Sequence, residues 1–253
     1  MNNLSFQISR MLLLLRAGQF ATAVTKVRER MYSNTVRYCL RRDLSKPFGA
    51  PQAQVAITVR PMEEGDAAAL FRTEGPHVPA DEIVDRTGRI DIFRQRIPTG
   101  YVAIDPNGVP CYAQWLMSHA DNDRIQGFFK GLFPVLHPDE ALLEGAFTPE
   151  SHRGFRIMPR AMALLAEKAT DFGARYVITF VAEGNTPSLK GCKRAGFVPH
   201  YLLREEWRLF RRRLIATPLP EGTPYPFDME ESKPRPVTIS PSTAASISAS
   251  SVH

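Results

Sequence analysis

The stretch Asn185-Thr-Pro-Ser188-Leu-Lys-Gly-Cys192-Lys-Arg-Ala-Gly196-Phe197 leaves little choice of local structure. Asn185 can accept hydrogen bonds from the unpaired N–H groups that open a helix, and Pro187 suits a first turn because its missing N–H is not needed there. Gly196 can take the left-handed conformation that closes a helix. A short capped helix followed by a strand is therefore predicted. Just before it, residues 174–181 form an almost continuous apolar run, the pattern of a central strand buried on both faces.

About thirty residues upstream lies a second constraint. Residues 141–147 read as a strand, residues 148–156 as a short loop with Arg153, Gly154 and Arg156, and the residues from Ile157 onward as a helix. Ile157, Ala161, Leu164, Leu165 and Ala169 recur there at helical spacing. A helix N-terminus presents unpaired N–H groups and a partial positive charge, so a strand-loop-helix of this kind can hold a phosphate or pyrophosphate, and the two arginines would add to it.

Taken together, the two segments resemble the signature of the GCN5-related N-acetyltransferases, over about residues 54–212. The resemblance implies an α/β fold with a mixed, mostly antiparallel central sheet flanked by helices. It also implies acetyl-CoA or another acyl-CoA as donor, held by backbone and side chains of Phe147, Thr148, Arg153, Gly154, Phe155, Arg156 and Ile157, with Asn185 and Ser188 near the pantetheine arm. The family's pyrophosphate loop has the form Arg/Gln-x-x-Gly-x-Gly/Ala. This chain keeps Arg153 at the first position but has Arg156 and Met158 where the glycines belong, and Pro159 removes one amide from the first turn. A bulky residue can still aim its amide at a phosphate if its φ stays negative.

Other segments fit the same order of elements. Residues 54–60 alternate apolar and polar with period 2, and a helix begins at Met62. Residues 80–97 read as a helical region interrupted near Gly88. Residues 100–104 and 110–117 flank Asp105-Pro-Asn-Gly108, whose Asn-Gly step marks a hairpin.

Direct attack of an amine on a thioester calls for a base to take the amine proton and can use an acid for the departing thiolate. Glu144, set among Leu142, Leu143, Ala146 and Phe147, is the candidate base, since partial burial would raise its pKa toward neutrality. The bland alternative is that Glu144 pairs with an arginine on the sheet surface. Asp139 and Glu140 are reserves, placed in the preceding turn. Where the family often has a tyrosine near the coenzyme sulfur, this chain has Cys192, which is read either as a substitute proton donor or as a small packing residue. Trp115, Tyr112, Gln114 and His119, with Phe128, Phe129, Phe133 and His137, either wall an acceptor pocket or pack a sheet edge.

Charge is uneven along the chain. Of the whole chain's net +6, the first fifty residues account for +7, from nine Lys and Arg against Glu29 and Asp43. Phe6, Ile8, Met11, Leu12, Leu14, Leu15, Phe20, Val24, Val27 and Met31 stand there at helical spacings, so residues 1–52 are expected to form a basic amphipathic helical extension. Two uses are open: packing on the domain or on a second copy in a homodimer, or peripheral contact with an anionic membrane through residues 1–50. A nucleic-acid partner is not expected.

The domain proper is assigned to residues 53–213 and a disordered Pro/Ser-rich tail to residues 214–253. Three cysteines without CxxC spacing point to neither a disulfide framework nor a metal site, and no apolar run approaches the length of a membrane span. A cytoplasmic protein, in places peripheral to the inner face of a membrane, is the expectation. The function read from this is an acyl-CoA-dependent N-acyltransferase, most simply an N-acetyltransferase, acting on the amine of a small polar acceptor. The alternatives are a long-chain N-acyl amino acid synthase-like enzyme at a membrane surface, and a non-catalytic acyl-CoA- or partner-binding module.

Overall fold

A computed structural model of the chain describes residues 20–73, 80–95, 97 and 100–231. In chain order the elements are α1 (Phe20–Met31), β1 (Tyr32–Asp43), β2 (Thr58–Pro61), α2 (Glu64–Leu70), α3 (Ala80–Arg94), β3 (Gly100–Ile104), β4 (Pro110–Ser118), α4 (Asn122–Phe129), β5 (Glu140–Phe147), α5 (Ile157–Lys168), β6 (Tyr176–Ala182), α6 (Thr186–Arg194), β7 (Val198–Arg208), β8 (Arg211–Pro218) and α7 (Pro226–Glu231). The strands make one eight-stranded sheet in the order β2-β3-β4-β5-β6-β1-β7-β8. Every neighbouring pair is antiparallel except β5 and β6, so the mixed, mostly antiparallel sheet expected from the sequence is the one found.

Residues 1–52 are not a purely helical extension. Only Phe20–Met31 is helical among the described residues, and Tyr32–Asp43 is a strand inside the sheet. It pairs with β6 on one side and β7 on the other. The period-2 burial of Tyr38, Leu40 and Arg42 on one face, with Cys39 on the other, explains why: the segment buries both faces, which a surface helix would not do. The expected helical residues Phe6 to Leu15 lie outside the described residues.

Strand β1 also completes the β6-α6-β7 unit. Because β1 is antiparallel to both strands, β6 and β7 run parallel with β1 filling the slot between them. Arg42 locks it there. Its guanidinium is almost fully buried, donates to the carbonyls of Ala163 and Ala195, pairs with Glu167 and stacks on Phe48 at 4.6 Å. One arginine thus ties the N-terminal strand to α5 and to the end of α6.

Residues 214–218 are not part of a disordered tail. Arg211–Pro218 is strand β8, held in register by β7. Residues 224–231 belong to a separate unit, in which Pro226–Glu231 are helical and Tyr225 stacks on Phe227; residues 232–253 lie outside the described residues. Gly88 does not interrupt α3, which runs unbroken over Ala80–Arg94.

A core of Trp115, Met117, Phe71, Ile92, Leu142, Phe147 and Phe180 occupies one side of the sheet. On the other side, α5 buries Ile157, Ala161, Met162 and Leu165. Phe128, Phe129 and Phe133 form an edge-to-face chain that continues to Phe180 and Tyr201. The insertion after β4 is therefore core packing over the β6-β1-β7 region, and Trp115 is a core residue stacked on Phe71, not a pocket wall. No helix among the described residues is long and apolar enough to cross a membrane.

Candidate active site

Strands β5 and β6 pair only over Glu140–Leu142 and Tyr176–Ile178. Beyond that the two strands part, leaving the later residues of each without a ladder partner on the facing edge and opening a wedge in the middle of the sheet. A bulge in β5 accompanies the parting. Trp115 is opposite Glu144, but Ala113 is opposite Phe147, so β5 carries an extra residue between these positions. Gly145 sits in the bulge at φ +74°, and a Cβ there would lie 2.8 Å from the Trp115 ring. Glycine is required on both counts. The carbonyls freed by the bulge are met by Arg89 of α3, which donates to Gly145 O (3.0 Å) and Ala146 O (2.8 Å).

Glu144 lines this wedge together with Arg89, Gln114, Met158, Thr179, Asn185, Ser188 and Cys192, around an inner cavity of about 170 Å³. One carboxyl oxygen accepts the Gly145 N–H at 3.0 Å, while Oε2 is cut off from water and has no hydrogen-bond partner. Burial pushes the carboxyl up to about 7, outweighing the Gly145 bond and the charges of Arg89 and Arg37. Glu144 forms no ion pair among the described residues, so the surface-pair alternative is not what the structure contains. A carboxyl that titrates near neutrality and faces a cavity is equipped to accept a proton.

The wedge opens outward into a groove of about 840 Å³ lined by Glu82, Asp85, Arg89, Thr148, His152, Arg153, Gly154, Arg156, Asn185, Ser188, Lys190 and Arg194, among others. Basic side chains outnumber acidic ones in it. At its floor is the N-terminus of α5, where no side chain caps the first N–H groups. Arg156, the residue before the helix, adopts φ 58°, ψ 24°. Negative φ, the condition set by the sequence argument, does not hold: Arg156 takes the left-handed conformation a glycine would take. That conformation costs a residue with a Cβ about 1–2 kcal/mol, which marks a site where local stability yields to something else. Uncapped amides, a left-handed entry residue and an excess of cations fit a bound pyrophosphate.

The other sequence candidates divide. Arg153 is held by Glu82 (2.6 Å) and by Thr148 O, so it builds the groove wall as one half of an ion pair. Asn185 caps α6 by accepting from the Ser188 N–H at 3.2 Å, and both residues line groove and wedge. Phe147 and Ile157 line the groove too, although both side chains are mostly buried in the core. Phe155 does not line it; its carbonyl accepts from Gln54 N.

Cys192 is fully buried against Met162, and burial lifts its thiol far above the ordinary range. An ordinary thiol titrates near about 8.5, so proton transfer from Cys192 to a departing thiolate would run uphill. Its position suits packing, not acid catalysis. Asp139 accepts backbone bonds from Arg175 and Tyr176, and Glu140 starts β5 at its far end, so neither reserve base reaches the wedge. Arg89, Lys190 and Arg194 were missed in the sequence. Arg89 had one signal, its i,i+4 spacing from Asp85, with which it pairs at 2.8 Å.

No protein-family profile matches this chain, and no curated protein matches it. Solved structures do. One is a GCN5-related N-acetyltransferase from Sphaerobacter thermophilus: 16% identity, 74% of this chain, 57% of that chain, TM-score 0.44. Another is a GCN5-related N-acetyltransferase from Kribbella flavida: 14% identity, 71% of this chain, 60% of that one, TM-score 0.42. A third is AAC(6')-Iy in complex with the bisubstrate analog CoA-S-monomethyl-acetylneamine: 19% identity, 56% of this chain, 91% of that one, TM-score 0.39. The chain is similar to GCN5-related N-acetyltransferases. It spans less than two thirds of the Sphaerobacter and Kribbella chains.

Proposed function

We propose that this chain is an acyl-CoA-dependent N-acyltransferase that uses Glu144 as base. The observation that carries the proposal is the parting of β5 from β6 beyond Leu142 and Ile178, which sets an orphaned, near-neutral carboxyl at the apex of a basic groove. The groove residues suit a polyanionic ligand: the α5 amides and Arg156 at a pyrophosphate, with Lys190 and Arg194 at further phosphate. The free edges of β5 and β6 can hydrogen-bond an extended, amide-bearing arm as a strand would.

The bound donor supplies a thioester carbonyl, at which the C–N bond to the amine forms and the C–S bond breaks. Glu144, its carboxyl raised by burial to about 7, takes up in its ionised form the proton that the amine must lose. Arg89 fixes the bulge that aims Glu144, and Asn185 and Ser188 border the arm's path. Solvent protonates the thiolate. The inner cavity of about 170 Å³ favours a short acyl group over a long chain, since a single water already claims about 30 Å³ of liquid volume. Its one carboxylate, Glu144, favours the amine of a small polar acceptor.

The test is a panel of small amines with acetyl-CoA, reading free thiol. An active amine whose kcat falls about 100-fold or more in Glu144→Gln supports the reading. An active amine whose rate is unchanged in that variant removes Glu144 from it, and no turnover with any amine despite donor binding would favour a binding module.

A further inference from the structure

The β7–β8 hairpin turns through two residues, Leu209 and Phe210, both in the left-handed region at φ 48° and 64°. Two-residue turns of this hand ordinarily carry Asn, Asp or Gly, because a Cβ is strained there and an apolar side chain gains nothing. This chain places a leucine and a phenylalanine at the tip and leaves them 73% and 57% exposed. The backbone explains the turn's shape: Leu209 N donates to Met31 O and Phe210 N to Arg30 O, both at 2.9 Å. It does not explain the side chains.

Those two bonds bring the end of α1 beside the tip. Val24, Val27 and Met31 stand three and four residues apart on α1, hence on one face, and all are exposed, as is Tyr32. Cations ring this apolar surface. Arg208 and Arg211 are opposite one another next to the turn, and Arg213 follows two pairs farther along, opposite Glu206. The Arg208 guanidinium lies 4.0 Å over the Tyr32 ring, and Arg28 is in the last turn of α1. Arg211 and Arg213 are exposed and have no partner among the described residues. Glu205, on the opposite face of β7, is engaged by Arg37 and Arg212.

We propose that this hairpin tip docks on an anionic membrane surface. Leu209 and Phe210 enter the boundary between headgroups and acyl chains, and Arg208, Arg211, Arg213 and Arg28 meet lipid phosphates. An exposed apolar tip with a cationic rim matches both layers of such a surface at once. A second copy of the same patch would bring two cationic rims together, and a nucleic-acid backbone offers no apolar layer for Leu209 and Phe210. The proposal is independent of the acyltransferase reading and places lipid contact on a folded hairpin instead of on the first residues of the chain.

The test is flotation of the full chain with phosphatidylcholine vesicles, alone or with about one third phosphatidylserine. The protein is expected to float with the anionic vesicles, not with the neutral ones, and to be released by salt. Leu209→Asn with Phe210→Gly supplies residues the turn favours, so the unfolding transition should be kept while vesicle affinity falls about tenfold or more. Arg211→Glu with Arg213→Glu should lower affinity similarly. Failure of the wild type to float with anionic vesicles would overturn the proposal. So would equal flotation of the Asn-Gly variant with its unfolding transition intact, which would assign lipid contact elsewhere in the chain. Self-association of the wild type without lipid binding, lost in that variant, would assign the tip to a second copy and overturn it too.

Discussion

The two halves of the sheet are built to opposite specifications. Around β1 both edges are paired, with one register shift at Cys39/Leu40: Arg37–Asp43 pair with β6, most of β1 pairs with β7, and the Arg42 terminal nitrogens donate to two carbonyls and a carboxylate. At β5 and β6 the ladder stops after Leu142 and Ile178, a glycine is forced to positive φ, an arginine is held in a glycine's conformation, and a carboxyl oxygen is buried without a partner. The first half pairs its strands along both edges of β1, and the second leaves the facing edges of β5 and β6 open. Strain and unsatisfied polar groups persist where the surrounding structure is firm enough to impose them, and the β1 half supplies that firmness.

The largest effect expected from breaking this contrast is deletion of residues 1–43. Without β1 the facing edges of β6 and β7 lose their partner, and the remaining chain should show no cooperative unfolding transition by circular dichroism. Arg42→Ala should be milder but severe, about 2–4 kcal/mol in urea denaturation, because it leaves two buried carbonyls short of a donor and a void beside Phe48. Glu167→Ala should cost less than about 1 kcal/mol, since that partner is half exposed to water. Equal losses for the two would mean that the ion pair, not the buried guanidinium, is the tie.

In the strained half the sign reverses for some changes. Gly145→Ala should cost about 2–3 kcal/mol and abolish turnover, because the new Cβ meets Trp115 at 2.8 Å and φ is positive. Glu144→Gln should lose activity yet gain stability at high pH. The Glu144 carboxyl titrates at about 7 in the folded chain against 4.5 unfolded, so the folded state holds the proton more tightly. Its contribution to stability is therefore complete below about pH 4.5 and is lost as the pH rises through about 7. Above that the ionised group costs up to roughly 3 kcal/mol, which Gln removes. The Gln variant should then melt higher than wild type at pH 8, with little difference at pH 4, and the wild-type rate should rise with pH through about 7. The smallest effect is Arg156→Gly, expected to stabilise by about 1 kcal/mol or less while weakening donor binding several-fold.

What the sequence made legible follows the same divide. The strand-loop-helix around Arg153 and the capped helix from Asn185 were readable because caps, glycines and helical spacing are local. Glu144 was readable from its apolar neighbours. Strand β1 was not, although Val36, Tyr38 and Leu40 carry a period-2 signal: the apolar helical spacing of Val24, Val27 and Met31 and the dense arginines drew the whole segment into one class. The groove's Arg89 and Arg194 arrive from α3 and α6, and the parting of β5 from β6 depends on a bulge whose carbonyls Arg89 satisfies from far away in sequence. Such features exist only once the chain is folded. So does the conformation of Arg156, since the sequence gives its identity but not its φ.

Titration calorimetry of the full chain with acetyl-CoA tests the central claim, that the wedge and its basic groove form an acyl-CoA site. The account predicts saturable one-site binding with Kd on the order of micromolar, weakened at least about tenfold in Arg156→Glu combined with Arg194→Glu, a loss of about 1.4 kcal/mol or more. Absence of binding at about millimolar acetyl-CoA, or equal binding by wild type and the double variant, would contradict it.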